Sequence, residues 1–179
     1  MLLPETLCRI KEKLQTSGNE NATAGVAAIF RVNNNRLEIL LVKRTVVTGD
    51  PWSGDMAFPG GKRTQQDKTI YDTVKREVFE ETNINLDRGH YLGMMSPEFS
   101  TVRPNMAVIP FLFLFDESFV ITINEELDSY YWIEFSKLKW RRGRSIVKKL
   151  DVPVYDIGEE RVWGLTYRIL NKMIALAEC

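Results

Sequence analysis

The sequence predicts an α+β fold with a mixed sheet, on three observations. Segments of helical period, residues 3–15, 69–82 and 161–177, alternate with strand-like runs but without the regular strand–helix–strand rhythm of a doubly wound sheet. The longest apolar run, Met106–Phe115, is ten residues long and contains Pro110, which suits a strand and falls far short of a membrane span. Two further runs, Ala27–Val32 and Leu37–Lys43, flank Asn33-Asn34-Asn35, a hairpin signal because Asn tolerates positive φ.

Taken in order, Leu3–Gln15 carries Leu3, Leu7, Ile10 and Leu14 at helical spacing, and Ser17–Thr23 is a short polar linker, so residues 1–23 are read as a helix and linker ahead of a domain spanning 24–179, the helix either capping that domain or mediating a dimer. Thr48–Gly61, rich in Gly and Pro, reads as an extended loop. Thr69–Thr82 is the second helix. Val120–Ile123 and Tyr130–Glu134 read as strands, and Arg161–Ala177 is a third helix whose buried face is formed by Leu165, Ile169, Met173, Leu170 and Ile174. His90 is placed in the turn after the second helix, and the seven Lys and Arg residues of Lys137–Lys149 are read as a solvated loop.

Composition excludes several functions. Lys plus Arg number 24 against 24 Asp plus Glu, so the chain as a whole has no positive field of the size nucleic acid requires; only the 137–149 cluster could serve locally. Cys8 and Cys179 lie at opposite ends and His90 is the single histidine, which excludes a disulfide framework, a Cys-based zinc cage and a His-rich metal site. No signal peptide is recognisable in the N-terminal residues, and a soluble cytoplasmic protein is expected.

The chemistry concentrates in Phe58-Pro59-Gly60-Gly61 and Arg76-Glu77-Val78-Phe79-Glu80-Glu81. At ~100° per residue, Glu77, Glu80 and Glu81 share a sector of roughly 100° beside the apolar stripe of Ile70, Tyr71, Val74 and Val78, at the rim of the buried face. Like charges at i, i+3 and i+4 repel, and a hard divalent cation removes that cost. Gly60-Gly61 allows close backbone approach, so that a carbonyl could join the ligands, and Arg76 could hold the neighbouring acids.

These residues resemble the box of the Nudix hydrolases, G-x5-E-x7-R-E-U-x-E-E-x-G-U, where U is aliphatic. Gly61, Arg76, Glu77, Val78, Glu80, Glu81 and Ile84 match; Asp67 stands in place of the early Glu, Asn83 in place of the late Gly, and one extra residue separates Gly61 from Arg76. The extra residue, Phe58–Lys62, Thr73, Glu126 ahead of Trp132, and Trp163-Gly164-Leu165-Thr166 are similar to the coenzyme A pyrophosphatase branch. Thr64 replaces that branch's first Asp, and Asp50 stands where its pre-box Arg is expected.

The resemblance implies an α/β/α sandwich, with the mixed sheet between helices, and hydrolysis of a diphosphate assisted by Mg²⁺ or Mn²⁺. The implied metal ligands are Glu77, Glu80, Glu81 and the carbonyl of Gly61 or its neighbour Gly60, with Glu77, Glu81, Arg76 and Glu126 as catalytic residues. Glu126 is the expected general base, with Glu125 and Glu98 as alternatives, and Arg44, Lys62 and Arg103 are expected phosphate contacts. The implied substrate is a small nucleoside diphosphate linked to another moiety, coenzyme A or its derivatives first. The alternatives are ADP-ribose, dinucleotide, oxidised-nucleotide or RNA-cap hydrolysis, or an inactive ligand-binding module. Neither nucleic acid nor membrane is an expected partner, and the assembly is expected to be a monomer or homodimer.

Overall fold

An unbroken apolar strand needs two cores, one for each face, and this chain supplies both. The computed structural model describes residues 3–17, 22–101, 103–116 and 119–178. Its elements are α1 (Glu5–Lys11), β1 (Ala24–Asn33), β2 (Arg36–Arg44), β3 (Met56–Ala57), β4 (Gly60–Lys62), α2 (Ile70–Thr82) and β5 (His90–Met94). There follow β6 (Glu98–Phe99), β7 (Ala107–Phe115), β8 (Leu127–Glu134), β9 (Arg142–Val147), β10 (Leu150–Ile157), β11 (Glu160–Val162) and α3 (Gly164–Glu178).

Leu112 and Leu114 of β7, with Ala28 and Phe30 of β1, pack toward α1 and α3. Phe111, Phe113 and Phe115, with Ala27 and Ile29, pack toward Ile70, Val74 and Val78 of α2. Period-2 alternation on strands buried on both faces therefore produces the expected sandwich, with α2 on one side and α1 plus α3 on the other. The sheet is mixed: β1 runs parallel to β7 and antiparallel to β2 and β4. The β1–β2 turn is as expected, Asn34 and Asn35 taking φ of 48° and 61°.

Several expected elements are corrected. Val120–Ile123 is not a strand, because Thr122 and Asn124 donate their N–H groups to the orphan carbonyls of Thr82 and Glu81 at the end of α2 (3.1 Å each). Lys137–Lys149 is not a loop: a 3-10 segment (Phe135–Arg141) leads into β9, which pairs with β10, and β10 with β11, in a second sheet of three strands. That sheet claims Arg161 and Val162, so the last helix begins at Gly164 rather than Arg161. Similarly, Thr48–Gly61 contains the short strand β3 and the start of β4. His90 opens β5 opposite Leu114 and faces the Asp116 carboxylate at 3.1 Å. The first helix is confined to Glu5–Lys11; Leu14 is still packed against the core, and Gln15 bridges to Met94. Of the expected linker, residues 18–21 lie outside the described residues, as does Cys179.

Leu7 and Ile10 of α1 are fully buried in the core they share with α3, so this helix completes a layer. Leu7→Ala is expected to destabilise the protein by about 3 kcal/mol in urea denaturation, the loss typical of a core cavity; a loss under about 0.5 kcal/mol would exclude α1 from the core layer.

Candidate active site

Helix α2 is started and stopped by its own side chains. Thr69 accepts a hydrogen bond from the Asp72 N–H (3.1 Å), Asp72 accepts one from the Thr69 N–H (3.0 Å), and Asn83 ends the helix at φ 59°. The helix between these caps presents Glu77 and Glu81 to β4. Gly61 permits this: a Cβ there would lie 2.4 Å from the Glu77 carboxylate. Gly60, at φ +140°, has no such freedom to lose, since a Cβ would meet the Gly25 carbonyl at 2.4 Å.

The β4 ladder decides which backbone groups face the acids. Ala27 donates to the Pro59 carbonyl and Arg63 to that of Thr23, so odd-numbered residues of this stretch bond to β1 and the peptide groups of Gly60 and Lys62 point the other way. Accordingly, the Gly60 N–H donates to Glu81 Oε2 at 2.9 Å, and the Lys62 carbonyl accepts from Arg76 at 3.4 Å. It is the Gly60 peptide, rather than that of Gly61, that the ladder turns toward α2.

Arg76 is the hub behind the carboxylates. Its Nε and a terminal nitrogen contact the two oxygens of Asp67 at 3.0 and 2.9 Å, a bidentate pair the shorter Asp side chain reaches. It also meets Glu77 at 2.9 Å and Glu80 at 3.1 Å. Thr64 completes the cradle by donating to Asp67 from its N–H (2.8 Å) and hydroxyl (2.9 Å). The Arg76 guanidinium, helped by Thr64, holds the Asp67 carboxyl far below the usual carboxylate range.

Glu81 is the opposite case. It is 3% exposed, and burial raises its pKa to about 7; Glu77 and Glu126 push in the same direction, while the Gly60 N–H and Arg44 pull it down. Burial likewise raises Glu77, against the pull of Arg76. Glu126 arrives from a turn tied at both ends: Thr45 donates to its carbonyl at 2.9 Å, and Asn124 Oδ1 accepts its N–H at 3.0 Å.

One cavity of about 660 Å³ is lined by Arg44, Trp52, Gly60, Gly61, Lys62, Glu77, Glu81, Arg103, Glu126 and Trp163, among others. Of the residues the sequence singles out, Glu77, Glu81, Glu126, Arg44, Lys62 and Arg103 are therefore brought together. Glu80 is not: it is directed to Arg76 and lies mostly in solvent. Glu98 is not either, being buried against Arg168 and Lys172 of α3, and Glu125 contributes its carbonyl to Thr45. Lys62 and Arg103 both rest on the Trp52 ring, 5.4 and 4.8 Å from its centre. Arg44 contacts Asp50 at 3.3 Å, and its Nε is buried without a hydrogen-bond partner among the described residues.

Among the described residues no group of three or more acidic, His or Cys side chains is drawn close enough to form a finished metal cage. What the site offers a divalent cation is its chemistry: hard oxygens from Glu77, Glu81 and Glu126, an adjacent backbone peptide, and mutual repulsion in a half-buried space that a cation relieves. Residues that sequence reasoning missed are Asp50, which holds Arg44, and Asp55, which accepts from the Trp163 indole at 3.0 Å across 108 residues. No local pattern signals a contact of that range.

Comparison with known proteins adds family membership. A family model described as NUDIX domain matches residues 22–150. A Nudix hydrolase of Photorhabdus laumondii named as uncharacterized is 31% identical over 147 residues, 75% of this chain and 74% of that protein. A mitochondrial coenzyme A diphosphatase of Homo sapiens is 28% identical over 124 residues, 63% of this chain and 51% of that protein. The chain thus spans about half the length of the human relative, and a quarter of that of a Schizosaccharomyces pombe protein it also matches. In fold it is similar to the crystal structure of a MutT/nudix family protein from Enterococcus faecalis, with a TM-score of 0.54 at 16% identity over 98% of this chain and 70% of that one.

The Asp67–Arg76 pair gives an acid-stability signature. The folded-state pKa of Asp67 lies below its unfolded value, so the pair stabilises fully above about pH 4 and its contribution falls away as the pH drops further. Asp67→Asn is expected to cost about 2 kcal/mol at pH 7, and the gap between wild type and variant in urea melts should narrow at pH 3. A gap that is constant with pH would exclude a charge-dependent role.

Proposed function

The chain belongs to the Nudix family, and from that premise we propose that it is a metal-dependent hydrolase of the diphosphate in a nucleoside diphosphate linked to another moiety, coenzyme A or a derivative first. The observation that carries this reading is the convergence of Glu77, Glu81 and Glu126 with the Gly60 peptide and Arg44 on one cavity. The human relative, a coenzyme A diphosphatase, supports the choice of coenzyme A.

Glu77, Glu81 and the Gly60 carbonyl would hold Mg²⁺ or Mn²⁺, with Glu126 beside them; Gly61 serves by admitting the Glu77 carboxylate. When bound, such a cation neutralises diphosphate oxygens and lowers the pKa of coordinated water. The chain's own residues do the rest. Glu126, which lines the same cavity from its tied turn, would take the proton of the attacking water. Arg76 keeps Glu77 in position from behind and holds Glu80 out of the cavity. The Arg44 guanidinium, with Lys62 and Arg103, would supply positive charge for phosphate contacts in the cavity.

The 137–149 cluster favours a small molecule over RNA. Lys137 pairs with Glu134, Arg144 with Asp151 and Lys148 with Asp55, and Arg142 reaches the Tyr155 hydroxyl, so much of its charge is already matched.

Coenzyme A incubated with the protein and Mn²⁺ should yield 3′,5′-ADP and 4′-phosphopantetheine. Turnover of ADP-ribose or dinucleotides alone would move the substrate elsewhere in the family, and nucleotide binding without any product would make the chain a binding module. Glu81→Gln is expected to lower kcat by about 100-fold or more. In a chelator the same variant should melt at or above the wild-type temperature, having lost a buried like charge, and it should lose the thermal shift Mn²⁺ gives the wild type. An equal Mn²⁺ shift in both proteins would remove Glu81 from the metal site.

A further inference from the structure

Two hairpin turns in this fold hold both central residues in the left-handed region, and they do so with different chemistry. The β1–β2 turn uses Asn34 and Asn35 at φ 48° and 61°, residues that enter this region readily. The β9–β10 turn uses Lys148 and Lys149 at φ 50° and 69°. Lysine has no short polar side chain to offset the crowding of its Cβ, so this turn carries a backbone cost that Asn or Gly would reduce. A retained cost of this kind directs attention to what the side chain does.

The Lys148 side chain leaves its own sheet altogether. Its ammonium donates to the Pro51 carbonyl at 2.7 Å and to Asp55 Oδ2 at 2.9 Å, and lies 5.3 Å from the centre of the Trp163 ring. The other Asp55 oxygen accepts the Trp163 indole N–H at 3.0 Å. The tip of the β9–β10 hairpin, the loop after β2 and the entry to α3 are thereby tied at one point, Lys148 lying 93 residues from Asp55. Pro51, Trp52, Asp55 and Trp163 all line the cavity, and Lys148 does not. The loop's other bonds are short-range, such as Ser53 N–H to the Asp50 carbonyl (3.1 Å) and Asp55 N–H to that of Trp52 (3.1 Å). This same loop carries Asp50, which holds Arg44.

We propose that Lys148 is a positioning residue: it clamps the 47–55 loop and Trp163 into one wall of the cavity, and so sets affinity for the part of the substrate beyond the diphosphate. The affinity half of this statement rests on the hydrolase reading; the clamp itself does not.

Lys148→Asn keeps a residue suited to the turn and removes the ammonium, Lys148→Arg keeps the charge, and Lys149→Asn relieves the same backbone cost without touching the loop. For Lys148→Asn the expected results are an undiminished melting temperature, faster amide hydrogen exchange in residues 48–55, and a KM raised about tenfold with kcat within about twofold of wild type. Lys148→Arg should recover most of the lost affinity, and Lys149→Asn should raise the melting temperature with KM unchanged. Unchanged exchange in the loop would overturn the clamp. Faster exchange with unchanged KM, or a lower melting temperature with unchanged KM, would make Lys148 a plain brace and overturn the positioning role. If the wild type turns over no diphosphate at all, the hydrolase reading falls, and the exchange rates alone uphold or overturn the clamp.

Discussion

Carboxylate buried beside carboxylate is the arrangement around which this molecule is organised. Glu81 is almost wholly enclosed and has Glu77 and Glu126 for neighbours, a grouping that costs free energy in a space of low polarity. The surroundings offset part of that cost. The Gly60 N–H donates to Glu81, Arg76 meets Glu77 from behind, and Arg44 lends positive potential from the end of β2. None of these neutralises the group fully. A site so arranged is matched to a ligand that brings charge of its own, the usual position of a functional centre that departs from the most stable packing.

The departures from the family box become intelligible as local chemistry. Asp67 is shorter than the Glu it stands for, yet it reaches both the Nε and a terminal nitrogen of the Arg76 guanidinium, and Thr64, itself a departure, supplies two donors to the same carboxylate. Asn83 in place of Gly still terminates α2 in the left-handed conformation. With Asp67 and Thr64 bracing Arg76 and Asn83 ending the helix, α2 presents Glu77 and Glu81 to β4 in spite of these substitutions.

What was legible in the sequence follows the range of the interaction. The α2 helix and the Asn turn are decided by residues within a few positions of one another, and each stands as expected. The second sheet was not legible: β9 reads as part of a basic run because Arg142 and Arg144 alternate with Gly143 and Ser145, and its pairing with β10 is a matter of tertiary context. The expected strand at Val120–Ile123 failed for a similar reason, its N–H groups being drawn to the end of α2. At the site, helical angles placed Glu80 with its neighbours, but the side chain follows Arg76 outward, a choice that periodicity does not encode.

The same distinction divides the cavity. Its acidic lining comes from α2, packed against β4, together with Glu126 on a turn fastened to both β2 and α2. Other parts of its lining come from the loop after β2, Arg103, Trp163 and α3, with the β9–β10 hairpin reaching across to hold the loop. Chemistry that depends on a compact stretch survives wherever that stretch folds. Under the proposed reading, selectivity for the group beyond the diphosphate depends on how these remote segments meet, and small changes in any of them reshape the wall without disturbing the acids. A motif can therefore indicate the kind of bond to be broken while carrying no information about what that bond is attached to, and on the proposed reading the choice of substrate falls to residues outside the motif.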